Sequence, residues 1–331
     1  MKNNALALSG GTDAHRAREG NNREIYRYDE RQSAPGDNLM DGPRIITPET
    51  RRVIDFPMKV GESPTWDDRT GDLWLVDIMA PAAICLRANG GTDRYEMPAD
   101  IGCLGLCENG QIVVGLRTGV HILDPETGKL ELLCNPDNGR PDSRLNDGKI
   151  GPDGHFWVGT RDEAVPQTGN ARLYRVAPDG SFTQEIDGLL TSNGLAWSPD
   201  GRRMYHSDSS GLLLQAFDFD PLTGKLGSKE RLHDFKPHEG RPDGGATDME
   251  GFYWSAGVQS GGVNRLSPQG DVVEVYKLPV TSPTMPCFGG PDLRTLYVTS
   301  LATDYSGTFE HGTLLAFDVD VAGVPVHRFA L

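Results

Sequence analysis

One spacing constrains this chain more than any other feature. Glycines that close short polar turns stand at positions 71, 110, 154, 201 and 251, separated by 39, 44, 47 and 50 residues. A further turn, Pro291-Asp292, follows at a similar interval. Beside each turn lies a short run rich in Val, Ile, Leu, Trp and Tyr: residues 73–77, 111–115, 155–159, 203–207, 252–255 and 295–299. Apolar runs of that length, bounded by Gly, Asn and Asp, read as strands joined by hairpins. Strongly periodic amphipathic helix patterns are hard to find. A unit of about 40–50 residues holding three or four short strands cannot bury its own faces and must stack on its neighbours. Six such units over residues 46–331 predict an all-β protein, a six-bladed β-propeller.

Ring closure follows from the same pattern. The first unit has room for an additional strand at 51–56, which could complete the last blade and remove an exposed sheet edge. The sixth unit is expected to end with strands at 313–318 and 324–329. Residues 1–45 form an N-terminal extension. Charges of both signs alternate there with Asn, Gly and Ser, and no apolar face repeats. The expectation is a flexible or loosely docked tail, with a short charged helix available to residues 15–31. If the tail packs on a partner subunit, Tyr26 and Tyr28 are its anchors.

Charge and cysteine usage narrow the partners. The net charge of −15 opposes phosphate neutralisation, so no nucleic-acid partner is expected. No apolar run approaches the ~20 residues of a membrane span, and residues 5–8 are too short an apolar core for a signal peptide. The five cysteines (85, 103, 107, 134 and 287) form no C-x-x-C pair and no even framework. Buried, reduced thiols and a cytoplasmic location are expected, as a monomer or small homo-oligomer.

The repeat also aligns a set of polar residues. Asn146, Asn193 and Asp243 each stand eight residues before a turn glycine, and Glu62 stands nine before. The first strand of each blade lines the central channel, so equivalent positions form a ring about the axis. The second unit offers Gly102 or Cys103 at this position and the sixth offers Met285. No Lys or Arg occupies a ring position. A buried carboxylate is costly unless paired or bound to a cation. Oxygen ligands from Asp, Glu and Asn suit a hard divalent ion, Ca²⁺ first, with Mg²⁺, Mn²⁺ or Zn²⁺ as alternatives. A water-filled channel with solvated polar residues is the simpler reading.

Other signals carry less. The stretch 218–224 lacks the glycine of an EF-hand loop and reads as a hairpin turn. His233, His238 and Glu239 match no zinc spacing. No G-x-S-x-G elbow is present, and no histidine is placed by sequence to activate Ser192.

The motifs Gly61-Glu-Ser-Pro-Thr-Trp66, Arg144-Leu-Asn-Asp-Gly-Lys149, Ser192-Asn-Gly-Leu195, Pro242-Asp-Gly244 and Cys287-Phe-Gly-Gly290 occur in order at blade spacing. Together, over residues 55–331, they resemble the gluconolactonase / regucalcin / luciferin-regenerating-enzyme family. That resemblance implies a six-bladed propeller that hydrolyses sugar lactones with one divalent metal. It makes Glu62, Asn193 and Asp243 the metal ligands, and Arg144 and Asn146 substrate contacts. Glu163, or its neighbour Asp162, becomes a further substrate contact, and Asp208 matches a family motif near the channel mouth. Asp243 would be both ligand and general base.

A metal-dependent sugar lactonase is therefore expected, acting on gluconolactone-like substrates. An esterase or organophosphate hydrolase on the same site, and a non-enzymatic calcium-binding propeller, remain open because a fold does not determine function.

Overall fold

A computed structural model describes residues 42–305 and 308–331. The tail readings at 1–41, including the helix at 15–31 and the anchors Tyr26 and Tyr28, lie outside the described residues. Six antiparallel sheets follow one another along the chain, each with its first strand innermost. Blade 1 comprises Gly61–Asp67, Asp72–Asp77, Ala82–Leu86 and Thr92–Glu96. The inner strands of the next five blades are Ile101–Leu106, Ser143–Ile150, Ser192–Trp197, Arg241–Thr247 and Pro283–Gly289. A single 3₁₀ turn, Pro237–Glu239, is the one helical element among the described residues. The five turn glycines all have positive φ, between 66° and 87°, which is why glycine recurs there.

Apolar side chains from facing sheets fill the gaps between blades. Six buried clusters result, one per gap. Between blades 3 and 4, Trp157, Trp197 and Phe219 meet edge to face with ring centroids 5.6–6.2 Å apart. Between blades 6 and 1, Ile54 and Met58 fill the closing seam against Leu75 and Leu314.

Blade 6 is completed by the N-terminal side of the chain, as expected. Arg51–Arg52 pairs antiparallel with Leu314–Asp318, though the strand is shorter than the predicted 51–56. Upstream, Arg44–Ile46 adds a parallel fifth strand to the outer edge of blade 5.

The expected strand at 324–329 is not one. This segment runs across the end of the channel, donating from Val324 N to Thr247 O (3.0 Å) and from Phe329 N to Leu106 O (2.8 Å). Residues 324–327 line a cavity of about 60 Å³ with Lys149, Trp197 and Cys287, and Phe329 is fully buried between blades 2 and 3. The apolar alternation that resembles a strand here serves a plug that touches several blades.

Candidate active site

The inner strands share one irregularity. In blade 1, three steps from Glu62 to Thr65 oppose two from Val76 to Trp74, so one residue is extra. Blades 3, 4 and 5 repeat this between Leu145 and Gly148, Asn193 and Ala196, and Pro242 and Gly245. Blades 2 and 6 carry an extra residue at the corresponding point, between Ile101 and Cys103 and between Pro283 and Met285. A β-bulge of this kind re-aims side chains. Six aligned bulges turn the ring positions toward the axis together. Local backbone shows the demand: Ser63 has φ 51° and Gly194 φ 64°.

Glu62, Asn146, Asn193 and Asp243 meet around one cavity of about 80 Å³. Asn193 Nδ2 donates to Asp243 Oδ1 at 2.6 Å and to Ser209 Oγ at 2.7 Å. Asn193 Oδ1 in turn accepts from Asn146 Nδ2 at 3.1 Å. Ser63 N donates to Glu62 Oε2 at 3.1 Å. Gly102 lines the cavity with no side chain, because a Cβ there would run into the backbone of Asn146. Met285 of blade 6 is buried against Gly244.

The site holds a third carboxylate that sequence reasoning did not single out. Asp147 lines the same cavity and accepts from Leu195 N at 3.3 Å through Oδ2. Its Oδ1 is buried without a hydrogen-bond partner among the described residues. Burial, then the charges of Asp243 and Asp147, holds the Glu62 carboxyl well above the usual range. Burial raises Asp243 as well, against the opposing pull of Arg241. Asp147 is raised by burial, while Lys149 pulls it down. That lysine lies toward the plugged end, donating to Gly245 O at 2.7 Å.

Although no cation occupies a ring position, three line the cavity: Arg144, Arg161 and Arg241. Arg144 is nearly buried and donates to Leu145 O at 3.0 Å. Glu163 does not line the cavity. Its carboxylate takes Arg117 bidentately, at 2.7 and 3.0 Å, and lies 3.3 Å from Arg144. Asp162 turns away and fixes its own loop, accepting from Ala164 N and Thr168 N. Asp208 does similar work for Leu190 N, Thr191 N and Gly211 N.

The reading of Ser192 needs correcting. A histidine does meet it: His206 Nε2 lies 2.8 Å from Ser192 Oγ, and Gln215 Nε2 lies 3.0 Å from His206 Nδ1. All three are buried, and Ser192 faces Gly159 of blade 3 rather than the cavity. With Gln215 donating to Nδ1, Nε2 carries the proton and donates to the serine. The serine is held in a blade interface and is not activated. Strand pairing between residues 14 positions apart creates this contact, so no local motif announces it.

His233 and Glu239 meet at 3.0 Å, and Glu239 also accepts from Lys236 N across the 3₁₀ turn. No group of three or more His, Cys, Asp or Glu side chains among the described residues is arranged to hold a metal ion. The axial set combines the Glu62 and Asp243 carboxylates with the amides of Asn146 and Asn193, and Asp147 lines the same cavity. The buried Asp147 Oδ1, without a hydrogen-bond partner among the described residues, marks the cavity as polar. The donors present fit a hard divalent ion.

Fold and site together define a six-bladed propeller with an oxygen-rich centre at one end of its channel. Residues 60–302 match the SMP-30/Gluconolactonase/LRE-like region, and the chain belongs to that family. It is 39% identical over 250 residues to 6-deoxy-6-sulfogluconolactonase of Pseudomonas putida, spanning 75% of this chain and 85% of that protein. It is 35% identical over 256 residues to regucalcin of Xenopus laevis, with the same two coverages. Among solved structures, a calcium-binding regucalcin from Agrobacterium tumefaciens superposes with a TM-score of 0.81 at 27% identity, covering 87% of this chain and 99% of that one.

Proposed function

We propose that this protein hydrolyses a sugar-derived lactone to the corresponding sugar acid with the help of one divalent cation. The observation that carries the reading is the convergence of Glu62, Asn146, Asn193, Asp243 and Arg144 on one axial cavity. Membership of a gluconolactonase-like hydrolase family and 39% identity to a lactonase support it. Glu62, Asn193 and Asp243 would hold the ion, with Ca²⁺ favoured by the calcium-binding relative. When bound, the ion supplies Lewis acidity at the lactone carbonyl.

The chain's own residues account for the rest. Asp243 accepts from Asn193 through Oδ1, which leaves Oδ2 to take a proton from the attacking water. The water oxygen bonds to the ester carbon, the bond from that carbon to the ring oxygen breaks, and Asp243 returns the proton to the departing oxygen. The product is a hydroxy acid whose ionisation acidifies the medium. Arg144, steadied by Glu163, stabilises the negative charge that develops on the carbonyl oxygen. Asn146 orients the sugar. The five cysteines, none of them in a disulfide, suit a reducing compartment such as the cytoplasm.

The test is pH-stat hydrolysis of an aldonolactone panel by protein supplied with Ca²⁺, Mg²⁺, Mn²⁺ or Zn²⁺, with and without chelator. Turnover that chelation abolishes is expected. Asp243→Asn should lower kcat by about 10²–10⁴-fold, the usual worth of a general base. An active Asp243→Asn variant sinks the assigned role. Turnover of aryl esters or phosphotriesters but not lactones points to the esterase alternative.

A further inference from the structure

The arginines around the cavity exceed what the lactone reaction needs. Arg144 and Arg161 are direct partners across the first two strands of blade 3. Like charges directly opposite each other in a sheet are destabilising, and an anion beside them relieves the repulsion. Glu163 serves Arg144 and Arg117. Neither Arg161 nor Arg241 has a carboxylate within ion-pair distance among the described residues, and both are exposed while lining the cavity. The mutual repulsion is felt at Arg144, whose guanidinium is held below its ordinary range by burial first and by Arg161 next.

Local charge sharpens the point. Three carboxylates (Glu62, Asp147 and Asp243) and three guanidiniums share this cavity. A divalent ion at the floor makes the loaded site cationic, on a chain whose net charge is −15. Such a site lacks an anion. Arg144 and Arg241 each stand two residues before a ring residue, Asn146 and Asp243, on the incoming side of the inner strand. The chain runs from the open end toward the plugged end, so these arginines and Arg161 form a collar nearer the mouth than the ring. A guanidinium offers a planar fork of donors that matches a two- or three-oxygen anion.

We propose that the substrate is a sugar lactone bearing a fixed negative charge at the end remote from its ring carbonyl, and that Arg161 and Arg241 bind that group. The inference rests on the lactonase reading. The anion takes no part in bond making or breaking; it fixes the substrate's orientation, with the carbonyl at the ring and the charge at the mouth. Carboxylate, sulfonate and phosphate share this chemistry.

The test compares kcat/KM of the metal-supplied full-length protein on glucono-1,5-lactone and on the same lactone carrying a carboxylate, sulfonate or phosphate at C6. At least one anionic lactone is expected to be preferred by about tenfold to a hundredfold, the worth of a charge-assisted hydrogen bond. The preferred member names the anion. Arg161→Gln and Arg241→Gln should each collapse the anionic-to-neutral ratio toward one, and Arg161→Lys should restore part of it. Circular dichroism verifies that the variants fold. Hydrolysis of all four lactones at similar efficiency, or a ratio unmoved by either substitution, overturns the inference and leaves the lactonase reading intact. Failure to hydrolyse any lactone defeats that reading first, and this inference with it.

Discussion

Gly194 shows what the site asks of a single residue. Its φ of 64° lies in the left-handed region, and a Cβ there would come within 2.7 Å of Ser207 Oγ and 3.0 Å of the Asp243 backbone oxygen. Its own carbonyl accepts from Tyr253 Oη at 2.8 Å, which ties blade 4 to blade 5 beside the ring. Gly194→Ala therefore combines backbone strain with overpacking, about 2–4 kcal/mol together. Urea denaturation should show that loss. Its neighbour Asn193 carries the opposite kind of demand, for a neutral amide that meets Asp243 through Nδ2 and Asn146 through Oδ1. Asn193→Leu should remove bound metal while keeping the strand content of the fold. Unchanged metal-to-protein stoichiometry by elemental analysis would count against Asn193 as a ligand. The identity of Glu62, Asn193 and Asp243 as ring residues was readable from their distance to the turn glycines. Asp147, Arg161 and Arg241 were not: Asp147 reaches the cavity through the bulge after Leu145, Arg161 from the second strand of blade 3, and Arg241 from the start of its inner strand.

At the level of elements, the inner strands do two jobs. Their first halves present polar side chains to the open cavity, and their second halves line the plugged end with residues such as Leu104, Ile150 and Trp197. The bulge between the halves explains why neither strict alternation nor a continuous apolar run describes them. The interface of blades 3 and 4 carries a second polar feature, the buried Ser192–His206–Gln215 chain. Burial, with a further push from Lys229, lowers His206 to about 3. A folded value below the unfolded value of roughly 6.5 means the unfolded chain binds the extra proton first. This contribution to stability is complete above about pH 6.5 and is lost as pH falls from there toward 3, at about 1.4 kcal/mol per unit. His206→Gln should flatten that part of the pH dependence. Urea midpoints for both proteins at pH 7 and pH 5 measure it; parallel losses in the two would show that His206 contributes nothing to the pH dependence.

Residues 42–331 form a closed ring, and each end of that described stretch helps close it. Arg51–Arg52 completes blade 6, while Ile54 and Met58 fill the seam beside it. The other terminus seals the channel, with Phe329 buried among Cys107, Val113 and Phe156. Phe329→Ala should cost about 3–5 kcal/mol and lower the thermal midpoint, since it empties a core position shared by two blades. A neutral result would show that the terminal segment is dispensable. The sequence by itself determined the number of blades, the turns between their strands and the polar residues at the repeat position. Those depend on local chemistry: glycine at positive φ, apolar runs of strand length, and a period that every blade must obey. Tertiary structure decided the rest. It made residues 324–331 a plug rather than a strand, gave Ser192 a histidine it cannot use, and surrounded the ring with arginines from two blades. Those outcomes depend on which side chains meet across strands distant in the chain, and no single stretch of sequence encodes such a meeting.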